Sequence, residues 1–157
     1  QLERNLARLG LSAKTAKADG AAWTPATPAD LVLLDAPCSA TGTGRRHPDI
    51  PHLKTPGDVA SLAKAQARLL QAAGQMIKPG GILVYAVCSL QPEEGPEIIA
   101  GFLAENSNFA RLPITGSEIG GLDQCLTHNG DLTTLPCHLA AQGGMDGFFA
   151  ARLTRAE

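Results

Sequence analysis

Two unbroken apolar runs dominate the pattern of the chain, residues 31–34 and 82–87. Neither alternates with polar residues, so each reads as a strand buried on both faces. The first ends abruptly in Asp35, followed by Pro37, Cys38 and a loop of small residues; the second ends in Cys88 and Ser89. Upstream, Leu2, Leu6 and Leu9 fall at helical spacing, with Gly10 as the stop. Residues 12–18 alternate weakly and read as a short strand closed by Asp19 and Gly20. The clearest helix follows Thr55, an N-cap with Pro56 at the first helical position and Asp58 three after the cap. Val59, Leu62, Gln66, Leu69, Leu70, Ala73 and Ile77 lie on its stripe. Lys78-Pro79-Gly80-Gly81 stops that helix and turns the chain into the second apolar run. Pro92 reads as the start of another helix, with Glu93 and Glu94 at its positive end and Ile98, Ile99, Phe102 and Leu103 on its buried face. Strands are expected around 109–112 and over 147–153, while 115–144 is Gly-rich and unpatterned. Strands alternating with helices predict an α/β parallel sheet, the last strand being an antiparallel addition near its edge.

Composition narrows the class. A chain of 157 residues, 44% hydrophobic and 18% charged, is long enough for one globular domain with a real core. The net charge of −2 exerts no global pull on nucleic acid, so RNA binding would need a local patch. Arg45, Arg46 and His47 are the densest such group. No apolar run approaches the ~20 residues of a membrane span, and no charged-then-apolar leader opens the chain. The four cysteines are therefore expected as reduced thiols in a cytoplasm. Opening on Gln1 and turning helical almost at once, the sequence reads as a piece of something longer.

Several residues carry candidate chemistry. Cys88, at a strand end beside a coming helix N-terminus, has the position of a thiolate nucleophile; its alternative is a buried structural cysteine. Cys38 sits after a stiffening proline with room for a ligand beyond it, or is an ordinary strand-to-loop cysteine. Asp35 lies where open α/β sheets place ligands, and Asp19 shares the pattern in weaker context; either could instead order its own loop. Arg45 and Arg46 could meet phosphates or be solvated surface. The glycines of Thr41-Gly42-Thr43-Gly44 are neither a P-loop nor a dinucleotide fingerprint. Cys125, His128, Cys137 and His138 lack the spacing of zinc knuckles, so no metal is expected.

Together these segments resemble a known family. Residues 35–42, Asp-Ala-Pro-Cys-Ser-Ala-Thr-Gly, followed by Arg45-Arg46-His47-Pro48-Asp49-Ile50, are similar to motif IV of the RsmB/NSUN-type RNA cytosine-5 methyltransferases. Tyr85-Ala86-Val87-Cys88-Ser89-Leu90 with Pro92-Glu93-Glu94 resembles their motif VI. The Arg-Arg-His-Pro-Asp-Ile run points to the bacterial branch acting on 16S ribosomal RNA. Lys78-Pro79-Gly80-Gly81 and Asp146-Gly147-Phe148-Phe149-Ala150 fit as well. The similarity covers nearly the whole chain outside 115–144.

The resemblance implies a Rossmann-like methyltransferase fold that uses S-adenosyl-L-methionine to make 5-methylcytosine in RNA. It implies Cys88 as the nucleophile on carbon 6, Cys38 as the residue assisting release, and Asp35 at the cytosine ring or the methionine side of the cofactor. Asp19 would lie near the adenine, and Arg45 and Arg46 would steady phosphates of an unpaired or flipped RNA strand. There are two departures. Val87 stands where the family usually has threonine. The cofactor-gripping Gly-rich loop and the ribose-binding acid, which lie upstream in the family, have no counterpart. Residues 1–157 are thus expected to be the C-terminal portion of the catalytic domain, with the N-terminal strands of the sheet absent, and inactive alone. A second reading is a non-catalytic RNA-binding or assembly module; Val87 and the missing loop favour it, and the retention of both cysteines argues against it.

Overall fold

The computed structural model describes residues 1–157. Helix α1 (Leu2–Leu9) ends at Gly10, whose φ of 66° is the left-handed C-cap that glycine adopts without penalty. The helix buries none of its residues. Residues 11–20 are all exposed, and the strand expected over 12–18 is not formed. Weak alternation cannot hold an extended segment when no neighbouring strand pairs its backbone groups.

Strand β1 (Ala29–Asp35), the short α2 (Ile50–Leu53), α3 (Pro56–Met76) and β2 (Ile77–Val87) follow in order. Then come α4 (Pro96–Glu105), β3 (Phe109–Arg111), β4 (Leu132–Thr134) and β5 (Phe148–Arg155). The sheet runs β1-β2-β5-β3, with β4 also paired to β5. β1 and β2 are parallel, Leu31 opposite Ile82 and Asp35 opposite Ala86. β5 is antiparallel to β2, β3 and β4. The last strand therefore has the expected direction and lies near the edge, one strand in from it, between β2 and β3. Phe149, Ala151 and Leu153 on its inner face are all core residues, which rewards a place between two strands.

The start of α3 is capped as its spacing predicts. Asp58 N donates to Thr55 Oγ1 at 3.2 Å and Thr55 N donates to Asp58 Oδ2 at 2.8 Å. Its stripe packs on β1 and β2, with Leu70 and Ala73 joining Leu83, Tyr85, Val87, Ile99, Phe102 and Phe109 in one core. Val32 and Leu34 pack against this core from β1. Their alternates, Leu31 and Leu33, are 56% and 64% exposed, so β1 is not buried on both faces as its unbroken apolar run predicts. Helices cover one face of this edge strand, and nothing covers those two leucines on the other.

Two further boundaries differ from expectation. Lys78–Gly81 does not separate helix from strand; it lies within β2 as an irregularity, with Gly80 at φ 73° and a break in the β1 register. Pro92–Glu94 forms a single 3₁₀ turn, and α4 begins only at Pro96. Pro96 disfavours a helical conformation in the residue before it, and Gly95 lies at φ −119°, ψ −100°. Glu94 consequently leaves the helix end and turns into the interior, where it is fully buried.

Candidate active site

Neighbouring parallel strands bring their carboxyl ends to the same side of a sheet. Cys38 lies three residues beyond β1 and Cys88 directly follows β2. Their Sγ atoms are 3.4 Å apart, and both residues are half-buried. The two loops are laced by backbone: Ala36 N donates to Ala86 O at 3.0 Å and Gly42 N to Cys88 O at 3.0 Å. Gly147 N in turn donates to Gly42 O at 2.7 Å. A Cβ on Gly42 would lie 2.0 Å from the Gly147 carbonyl oxygen, so glycine is required here for close approach of two backbones. Between the thiol and that contact, Ala40 occupies the left-handed region at φ 60°. Such a residue costs about 1–2 kcal/mol. Thr43 holds it there, donating from N at 2.9 Å and from Oγ1 at 2.8 Å to the Ala40 carbonyl.

Burial pushes the Cys38 thiol up to about 12, with the neighbouring Cys88 adding to the rise. Cys38 therefore keeps its proton at neutral pH. A half-buried thiol pair in which one member stays protonated suits covalent catalysis, one sulfur bonding to carbon and the other donating a hydrogen bond.

Beneath the thiols lies a polar network that sequence reasoning missed. Glu94 Oε1 accepts from Ser39 N at 2.8 Å and from Gln66 Nε2 at 3.0 Å. Its Oε2 accepts from the hydroxyls of Ser39 and Ser89, each at 2.5 Å. Gln66, placed by spacing on the apolar stripe of α3, is fully buried for this purpose and also donates to the Pro37 carbonyl at 2.8 Å. A glutamine on an otherwise apolar stripe was the one available signal.

The remaining site candidates divide. Asp35 stands at the end of β1, exposed, its carboxylate free of protein hydrogen bonds. Asp19 orders its own turn, Oδ1 accepting from Ala21 N at 3.0 Å, and has no hydrogen bond to the thiol loops. Arg45 and Arg46 converge on Asp146: Arg46 bonds its Oδ2 at 2.6 Å and 2.5 Å, and Arg45 Nε lies 3.8 Å from Oδ1. The Arg46 hydrogen bond holds the Asp146 carboxyl below its usual range. Both arginine side chains remain about half exposed, 47% and 56%. Cys125 and His138 meet, Sγ to Nδ1 at 3.2 Å, but His128 and Cys137 do not join them, and no group of three or more metal-capable side chains forms. Val87 is fully buried in the core.

Comparison with known proteins accords with this geometry. The family model described as 16S rRNA methyltransferase RsmB/F matches residues 1–154. A ribosomal RNA small subunit methyltransferase B from Pseudomonas syringae is 42% identical over 99% of this chain and 34% of its own length. One from Salmonella arizonae is 45% identical over 96% of this chain and 33% of its own. The chain thus spans about a third of the length of the curated relatives it matches. Among solved structures, NSun6 from Pyrococcus horikoshii with SFG superposes with a TM-score of 0.79 and 25% identity, covering 99% of this chain and 38% of the other. A methyltransferase homolog from the same organism gives a TM-score of 0.58 with 31% identity, over 83% of this chain and 40% of the other. The fold is accordingly a Rossmann-like methyltransferase fold in partial form. With matches running through both cysteine loops and across the sheet, the chain belongs to the 16S rRNA methyltransferase RsmB/F family.

Proposed function

We propose that this chain is the C-terminal portion of an RNA cytosine-5 methyltransferase domain, acting on 16S ribosomal RNA through a covalent bond from Cys88. The observation that carries the reading is the pair of half-buried sulfurs 3.4 Å apart at the ends of adjacent parallel strands. Carbon 5 of cytosine is a poor nucleophile. Attack of the Cys88 thiolate on carbon 6 forms a sulfur–carbon bond and makes carbon 5 enamine-like, so that it can take a methyl group. S-adenosyl-L-methionine, when bound, supplies that methyl. Afterwards the proton on carbon 5 passes to solvent, the sulfur–carbon bond breaks, and its electrons return to Cys88. Cys38 assists by donating its retained proton as a hydrogen bond to the departing thiolate.

The residues present fit the cofactor in part. Asp35 offers a free, exposed carboxylate at the strand end, suited to an N–H donor of the base or of the cofactor's amino group. Asp19 keeps Oδ2 free for the adenine end. SFG, the S-adenosylmethionine analogue named with the NSun6 neighbour, supports the same cofactor. Arg45 and Arg46, steadied by Asp146 and half exposed, meet RNA phosphates. The partial set also means that residues 1–157 alone bind the cofactor weakly and turn over no RNA; full methyl transfer to 16S RNA by that piece would contradict this.

The test uses the full-length protein and RNA containing 5-fluorocytosine at the target. The wild type is expected to form a stable protein–RNA adduct that Cys88→Ala does not form, with methyl transfer lost as well. Cys38→Ala is expected to accumulate adduct even on ordinary RNA, because release is impaired. An adduct that persists in Cys88→Ala defeats the proposal.

A further inference from the structure

Glu94 is a fully buried carboxylate with no cation beside it, and none of the ion pairs in the molecule includes it. Such a group is costly to bury and is retained where its hydrogen bonds matter more than packing. Its side chain accepts four hydrogen bonds, and they come from three residues. Ser39 follows Cys38, Ser89 follows Cys88, and Gln66 also grips Pro37 on the other side of Cys38. The two serine hydroxyls converge on one oxygen and lie 3.1 Å from each other. Glu94 is itself pinned through its backbone, the Tyr85 hydroxyl donating to its carbonyl at 2.6 Å. Tyr85 rises from β2, whose end carries Cys88, so the clamp is anchored to the strand it orders.

We propose that Glu94 is a positioning residue that sets the Cys38–Cys88 geometry by holding the residue after each thiol on a single buried carboxylate. It reaches no reacting atom and acts through Ser39 and Ser89. The inference rests on reading the two cysteines as the working pair. The Gly42 N bond to the Cys88 carbonyl holds the peptide after Cys88 on one side, but no backbone bond holds the peptide after Cys38, whose turn aims Cβ and Sγ. The carboxylate takes the Ser39 amide and ties the Ser39 and Ser89 hydroxyls to one oxygen, so both loops are referred to a single point. Gln66 extends the grip, holding the carbonyl before Cys38 while Glu94 holds the amide after it.

The test is carried out on the full-length protein with Glu94→Ala, Glu94→Gln and the double variant Ser39→Ala/Ser89→Ala. The first readout needs neither RNA nor activity: the rate at which diamide, a two-electron thiol oxidant, joins Cys38 to Cys88, followed as the linked peptide by mass spectrometry. Glu94→Ala is expected to slow it at least fivefold and to lower kcat about a hundredfold with KM within twofold. Glu94→Gln is expected to restore most of both, since its amide oxygen can accept from Ser39 N and Gln66 while its NH₂ donates to the two hydroxyls. The double serine variant keeps the Ser39 N and Gln66 bonds and so tests the clamp if Glu94→Ala does not fold; a threefold slowing is expected. Cross-linking at the wild-type rate in the folded variants overturns the proposal, as does a Glu94→Gln protein as impaired as Glu94→Ala, which would assign the effect to charge. Loss of the Cys88 reading would appear instead as methyl transfer surviving Cys88→Ala, whatever the cross-linking shows.

Discussion

The two faces of β1 are made of the same residue types and have opposite fates. Val32 and Leu34 pack on the core under α3, while Leu31 and Leu33 on the same strand are left open. The covered face leads directly to the thiol loops: its helix supplies Gln66, its central strand supplies Tyr85, and both hold Glu94. The open face has no such layer over it, and elsewhere in the chain α1 buries nothing and residues 11–20 are all exposed. The cysteine pair is thus held through contacts made on the covered side. This also separates the two halves of the proposed chemistry. The proposed nucleophile stands with the covered layer, whereas Asp19, expected at the cofactor, belongs to the exposed segment.

The sharpest way to break this comparison is a matched pair of truncations. Leu70→Ala, on the covered face and fully buried, is expected to cost about 2–5 kcal/mol. Leu33→Ala, on the open face, is expected to change stability by less than about 0.5 kcal/mol. Urea unfolding of both variants measures the difference, and equal losses would show that the open face carries load. A smaller effect concerns how the covering helix is started. Thr55→Ala removes the hydroxyl half of the capping box and is expected to cost about 1 kcal/mol, read in the same titration.

A gentler test uses pH. Burial raises the Cys38 thiol from an ordinary 9.0 to about 12, so the folded chain keeps a proton that the unfolded chain releases. Stability is then intact below about pH 9 and falls as pH rises toward about 12. Cys38→Ala is expected to flatten part of that fall. Tyr85, also pushed up by burial, acts in the same direction and preserves the remainder. A variant whose alkaline profile matches the wild type would mean that Cys38 is not held protonated by the site.

Much of this molecule was legible from residue order because the signals are local. A capping box needs only Thr55 and Asp58, a left-handed stop only Gly10, and a thiol at a strand end only the boundary after an apolar run. Parallel pairing of β1 and β2 follows from the helix between them, and with it the meeting of Cys38 and Cys88. What remained hidden depends on contacts far apart in sequence. An apolar strand does not say how many layers will cover it, so Leu31 and Leu33 read as buried. The residues of 12–18 carry strand-like alternation, but a strand exists only where another pairs with it. Glu94 looks like a charge at a helix start until Pro96 delays the helix and the interior supplies four donors. Arg45 and Arg46 read as free cations until the loop before β5 brings Asp146 between them. Local propensity and covalent order determine which elements can form; burial and hydrogen-bond partners are properties of the assembled whole, and they alone decide which side chains are left to work.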